Sequence, residues 1–448
     1  MLRLAAFLLI LWAIIEMNKR MSSCPFRPRR DPGHVPRFNV NVTAGVILLY
    51  CVATMVAIVV QRIRVPYTAA LLLVGVALGA SRVVELPHLT KDLLFALFLP
   101  GLLFEAAYHL EWRELRENAW AIGALAMPGV VVTIVLTALL LVGGAAAVGG
   151  EVVGWSTALI FGGVIAATDP VAVTALFREL AAPRRLHVLV ESESLLNDGT
   201  SIVFLTLLLA YFSGVAPSAS SLALEFVRIT VGGTIIGLVA GWLASQLRTR
   251  LNDAAIEITL TTIAAYGAFV LAEQFHMSGV IATVTAGVVC GHSGRHHAMT
   301  AGTRLAVDSF WEWLSFALNS AVFLLLGAEL SGSAFVQEWR LVLLGALAVL
   351  AARAVVVGSV GLLLRDTRER IPGAWSVVLV WGGLRGALSL VLALALPADV
   401  GDRSMIVSLT AGTVMLSLLG QGTSMTVLLR RLGIIGGLHV PNKSGART

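Results

Sequence analysis

From residue 43 to residue 430 the chain alternates long apolar runs with short polar turns, many of them carrying arginine. About 20 apolar residues in helical conformation cover a hydrocarbon core ~30 Å thick. The pattern predicts spans near 43–61, 66–80, 92–110, 118–143, 155–178, 188–212, 226–247, 254–274, 277–291, 305–330, 339–364, 374–396 and 404–429, thirteen in all. The first 42 residues break the pattern. Residues 4–15 are apolar but short, and 18–40 are rich in Arg and Pro. They read as a leader of separate status: an extra helix, a surface segment or a start-site artefact.

Lysine and arginine orient the spans. With the C-terminus inside, the inner turns and tail hold eighteen, including Arg113, Arg178, Arg184, Arg185, Arg368, Arg430 and Arg431. The outer turns hold five: Arg82, Lys91, Arg228, Arg340 and Arg403. The leader, with seven positive residues on the outer side, is the exception.

Thirteen spans divide into two inverted sets of six, spans 1–6 and 8–13, with span 7 between them. Span 5 is interrupted by Thr168-Asp169-Pro170, and its mate, span 12, by Gly382-Gly383-Leu384-Arg385-Gly386. Discontinuous helices at matching places in two halves mark a transporter's binding site. The expected architecture is therefore an all-α polytopic membrane protein of about 13 transmembrane helices, two inverted repeats with a pair of broken, crossing helices.

Charge inside the spans carries the chemistry. At ~1.5 Å rise per residue, Glu105, Asp169, Asp198, Arg353 and Arg385 all fall near mid-bilayer. Ionisable groups there are costly and usually face a cavity. Ser194 and Asp198 are i, i+4 and share a helix face; Glu193 and Asn197 share the next stripe. A hydroxyl, a carboxylate and the free carbonyls near Thr168 are hard oxygen ligands, suited to Na⁺ or Li⁺. One acid is assigned to structural pairing, Glu193 with Arg353, which leaves Asp198 to titrate. Arg385 is placed to hold the negative ends of the broken helices.

Composition agrees: 57% of the 448 residues are hydrophobic and 13% charged, against ~25% in soluble domains. The net charge of +6 is scattered over short turns, which argues against nucleic acid as a partner. Cys24, Cys51 and Cys290 have no metal-binding spacing. His292, His296 and His297, near Arg295, read as a solvated turn. Trp311 and Trp313, flanking Glu312 at the start of span 10, read as interfacial aromatics. No nucleotide motif occurs, so coupling to ATP, any cofactor and an enzymatic role are not expected.

The segments FLPGLLFEAA (98–107), FGGVIAATDPVAV (161–173), ESESLLNDGTSIV (191–203), SGVIATVTAGVVCGH (278–292) and WGGLRGALSL (381–390) resemble the sodium/proton exchanger branch of the monovalent cation/proton antiporters, the NhaP and NHE type. Pro100-Gly101 departs from the Pro-Pro that many members carry. The resemblance implies a homodimer in the cell membrane. Within it a core (113–213 and 339–430) moves against an interface domain (43–112 and 254–330), with a linking helix (226–247) and a short tail (431–448). It implies that Asp198 carries the cation and the proton. Ser194, Glu105 and the Thr168 backbone would be further ligands, with Asp169 close by. Asn197 marks the branch read as electroneutral. The expected function is exchange of Na⁺ or Li⁺ for H⁺. A K⁺/H⁺ antiporter is the alternative within the class and a passive cation channel the alternative outside it. An intramembrane aspartyl protease lacks its motif, because the lone Gly401-Asp402 sits in an outer turn.

Overall fold

The computed structural model describes residues 40–60, 66–81, 93–148, 153–214, 219–248, 253–296, 300–330, 338–397, 400 and 402–435. The leader through residue 39, the turns holding Arg62, Arg64, Arg82, Lys91 and Arg250, and the tail beyond 435 lie outside them. So do His297 and the side chains of Arg295 and His296.

Thirteen helical crossings follow one another among the described residues, with no strand. The first three are α1 (Val40–Val60), α2 (Tyr67–Ser81) and α3 (Leu99–His109), the last preceded by a π-helical turn, Leu94–Phe98. A surface turn, α4 (Trp112–Glu117), leads to a crossing made of α5 (Ala119–Ala126) and α6 (Pro128–Val148), with Pro128 at the joint. The fifth crossing is split into α7 (Trp155–Ile165) and α8 (Val171–Glu179), and α9 (Arg184–Phe212) follows. Next come α10 (Ala219–Arg248), α11 (Ala254–Gln274), α12 (Gly279–His296), α13 (Ala301–Leu330) and α14 (Trp339–Leu363). The twelfth crossing is split into α15 (Gly373–Trp381) and α16 (Ala387–Leu394). The last is α17 (Arg403–Leu416), a π turn at Ser417–Gly422, and α18 (Thr423–Arg431).

Helix is the form these residues must take where no water can satisfy the backbone, since every N–H and C=O is then paired within its own segment. Among the described residues, seven helices are long and apolar enough to cross a membrane, and five shorter apolar ones accompany them. The breaks come where the sequence withholds a donor or a side chain. Pro100 cannot donate to the turn before it, and the widened π turn at Leu94–Phe98 sits directly upstream.

The packing is reciprocal between the two halves. α2 lies on α13, and α3 lies on α12. The second and tenth crossings thus meet as the ninth and third do, which is the pairing two inverted repeats generate. α10 joins the halves along a small-residue ridge. A methyl added at Gly233, Gly237 or Gly241 would come within 2.6, 2.2 and 3.0 Å of the backbone carbonyls of Ser278, just before α12, and of Ala282 and Ala286 within it. Its opposite face is apolar and exposed, including Leu224, Val231 and Trp242.

One sequence expectation fails here. α13 begins at Ala301, so Trp311 lies ten residues inside it rather than at its start. Trp311 is fully buried, tilted against Phe104 at 4.6 Å, and its indole donates to the Thr261 hydroxyl at 3.1 Å. Trp313 is 63% exposed. Two positions apart on a helix point to different faces, so a pair of tryptophans is not a belt by adjacency alone.

Candidate functional site

The two broken crossings meet at their unwound stretches. Residues 166–170 separate α7 from α8, and residues 382–386 separate α15 from α16. The Asp169 amide donates to the Leu384 carbonyl at 2.7 Å, one backbone bond tying the stretches together. The glycines of span 12 serve this approach by their size. A Cβ on Gly386 would lie 2.2 Å from Cβ of Asp169, and one on Gly383 would lie 2.0 Å from Nε of Arg353.

Together the two breaks expose two carbonyl-bearing helix ends, which are partly negative, and two amide-bearing ends, which are partly positive. Arginines meet the first kind. Arg385, 2% exposed, donates through one nitrogen to the carbonyls of Ile165, Ala166 and Ala167 at the end of α7. Arg353 donates through Nε to Leu379 O, near the end of α15, at 2.9 Å. Asp169 meets the second kind. Its Oδ1 accepts from the Val171 amide at 3.0 Å, and the carboxyl also meets the Ala387 amide. It therefore sits at the first turns of both α8 and α16.

α9 supplies the other groups. Arg353 forms a two-pronged pair with Glu193, at 2.8 and 2.9 Å. Asn197, one turn on, donates to Glu193 at 2.9 Å and reaches the Thr168 hydroxyl at 3.4 Å. The Ser194 hydroxyl lies 2.9 Å from that of Thr168 and donates to the Thr168 carbonyl. Ser194 and Asn197 thus hold the unwound residue 168 from two sides. The Arg385 amide donates to the Ser417 hydroxyl at 3.0 Å, from the first residue of the second π turn.

Asp198 is placed differently. It meets the Thr168 backbone amide, but its Oδ1 is buried without a hydrogen-bond partner, and it forms no ion pair among the described residues. It lines a cavity of about 100 Å³ together with Asp169, Thr168 and, from α3, Glu105. Glu105 contacts the His109 ring at 3.4 Å, one turn along α3. Among the described residues no three His, Cys or acidic side chains converge closely enough to hold a metal ion. A cation in this cavity would be met by carboxylates together with neutral oxygens.

Three cavity groups escaped the sequence reading. Glu191 also lines the wall, held by His187 at 3.2 Å and Arg178 at 3.7 Å. Its signal was the Glu-Ser-Glu-Ser run, in which only the second acid drew notice. Ser315 and Asn319 of α13 line the facing side. Their i, i+4 spacing in an apolar span was the available signal. Of the histidine cluster, His292 is exposed.

A many-helix bundle with inverted repeats, two crossing broken helices and an ionisable cavity at the crossing defines a secondary transporter. Residues 47–431 match the family model described as sodium/hydrogen exchanger, transmembrane. The chain is 37% identical over 380 residues to the Na(+)/H(+) antiporter ApNhaP of Aphanothece halophytica, covering 83% of this chain and 71% of that protein. It is 38% identical over 354 residues to the Na(+)/H(+) antiporter NhaP of Pseudomonas aeruginosa, covering 76% of this chain and 81% of the relative. Its fold matches that of the sodium proton antiporter MjNhaP1 from Methanocaldococcus jannaschii, with a TM-score of 0.70 and 18% identity, over 88% of this chain and 99% of the other. The chain belongs to the sodium/hydrogen exchanger family and is an integral, multi-pass cation/proton antiporter of the NhaP type.

Proposed function

We propose that the chain exchanges Na⁺ or Li⁺ for H⁺ without net charge movement, one ion at a time, at Asp198. The observation that carries this reading is the unequal treatment of the acids around the crossing. Glu193 is neutralised by Arg353, and Asp169 is engaged by the amides of two helix starts. Asp198 has one buried carboxylate oxygen without a partner, and its side chain lines the cavity. A bare carboxylate there is costly, and either a proton or a small cation relieves the cost. The two compete, and only the neutralised site moves cheaply across the centre of the membrane. Thr168 and Glu105 border the same cavity and are the further ligands of this reading, with Ser194 holding Thr168 in place.

Alternating access then follows from motion of the core, residues 113–213 and 339–430, against the helices of 43–112 and 254–330, with the C-terminus cytoplasmic. The exposed apolar face of α10 is available to lipid or to a second copy of the chain in a homodimer. The relatives' names support Na⁺ as the cation.

The test is Asp198→Asn in everted vesicles, with Na⁺, Li⁺ and K⁺ offered in turn and the membrane potential clamped or free. Proton movement driven by Na⁺ should vanish in the variant and be indifferent to the clamp in the parent. Persistent exchange in Asp198→Asn would remove the carrier assignment. A K⁺ response exceeding that to Na⁺ would replace the ion, and cation flux without proton movement would indicate a channel.

A further inference from the structure

The cavity has two walls of unlike chemistry. The wall bearing Thr168, Asp169 and Asp198 is rich in oxygen. The wall from α3 and α13 is built of Leu, Phe, Val and Ala side chains, and among the described residues it is polar only at Glu105, Ser315 and Asn319. Ser315 and Asn319 are one turn apart and share a face.

Asn319 is 8% exposed. A buried amide in a spanning helix commonly hydrogen-bonds a neighbouring helix and so helps hold the bundle. The next residue does this: the Ser320 hydroxyl lies 2.8 Å from the Tyr67 hydroxyl of α2. Among the described residues Asn319 has no such bond to another helix. Among the described residues its amide makes one contact, from Nδ2 to the Ser315 hydroxyl at 3.4 Å, within its own helix. Asn319 lines the cavity, and among the described residues its carbonyl oxygen accepts no hydrogen bond.

We infer that Asn319, with Ser315 beside it, binds the transported cation from the wall opposite Asp198 and sets which alkali cation is preferred. This rests on the reading of Asp198 as the carrier. The physical reason is a division of labour. Carboxylates supply charge and therefore compete with protons. An amide carbonyl is a hard oxygen that replaces a water of hydration while staying neutral at every working pH. It can discriminate ions by size without changing how many protons are exchanged. Its location on α13, across the cavity from the broken helices, means that the contact is present only while the two walls face each other.

The experiment compares apparent KM for Na⁺, Li⁺ and K⁺ in everted vesicles for the parent, Asn319→Ala, Asn319→Ser and Ser315→Ala, with Asp198→Asn as control. Loss of one polar contact to a cation should raise KM for the preferred ion roughly 5- to 10-fold in Asn319→Ala, with maximal rate kept within about two-fold. The other ions should move less, so the selectivity ratio changes; Asn319→Ser and Ser315→Ala should show smaller shifts in the same direction. Equal KM values, or values scaled by one factor for all three ions, would overturn the inference and assign Asn319 to packing. Should Asn319→Ala fail to accumulate in membranes, the serine variant and Ser315→Ala carry the comparison, and unchanged ratios in both overturn it. Exchange surviving in Asp198→Asn refutes the carrier reading, whatever the ratios at Asn319.

Discussion

Removing Arg353 probes the crossing most directly. Arg353 is 8% exposed, and its guanidinium makes three bonds: two to Glu193 and one to the Leu379 carbonyl. Arg353→Ala leaves Glu193 buried with Asn197 as its remaining donor. It also strips Leu379 O of the side-chain donor that bonds it. Breaking a buried ion pair from one side costs about 3–5 kcal/mol, because the orphaned charge stays desolvated. Removing both charges together is far cheaper, so the double variant Arg353→Met with Glu193→Leu should recover most of the loss. The assay is thermal unfolding of detergent-solubilised protein, followed by tryptophan fluorescence for the parent, Arg353→Ala, Glu193→Gln and the double variant. Apparent KM for Na⁺ is measured in parallel in vesicles. The expected pattern is a clear drop in melting temperature for Arg353→Ala, partial recovery in the double variant, and a smaller effect on KM than on stability. A melting temperature equal to the parent's, with the ion response gone, would refute the reasoning and move Arg353 from the frame into the ion site.

Gly386→Ala should abolish exchange, with maximal rate reduced at least about ten-fold, because the new methyl falls 2.2 Å from Asp169 and the unwound stretches cannot close; initial rates in vesicles check it, and near-parent rates would contradict the packing. Arg385→Lys keeps the positive charge, but its side chain ends one atom short of the nitrogen that reaches three carbonyls at the end of α7, so stability should fall between the parent and Arg385→Ala; the order of melting temperatures decides. Trp311→Phe should cost about 1 kcal/mol through the lost Thr261 bond, whereas Trp313→Phe on the exposed face should be nearly silent.

What the chain by itself determined is whatever depends on neighbours along the helix. Hydropathy runs set thirteen crossings, because a membrane accepts little else, and the fold has them in that order. The Thr-Asp-Pro and Gly-Gly-Leu-Arg-Gly interruptions located both breaks, because proline's missing donor and glycine's missing side chain are local properties. The spacing of Glu193, Ser194, Asn197 and Asp198 placed them on adjacent stripes of one helix, and the Glu193–Asn197 bond is that spacing made visible.

The rest needed partners far along the chain, on other helices. No pattern within span 12 says that Arg385 will rest on the carbonyls of Ile165 to Ala167, nor that Asp169 will meet the starts of two helices. Those contacts exist because two broken helices are brought together end against end. Trp311 went astray for the same reason: exposure belongs to the neighbours, here Phe104 and Thr261, and not to the span. Ser315 and Asn319 also became part of the cavity only once α13 was laid across from Asp198. Helix formation is decided over a few residues, whereas which oxygen faces which is decided by packing that joins the two halves of the chain.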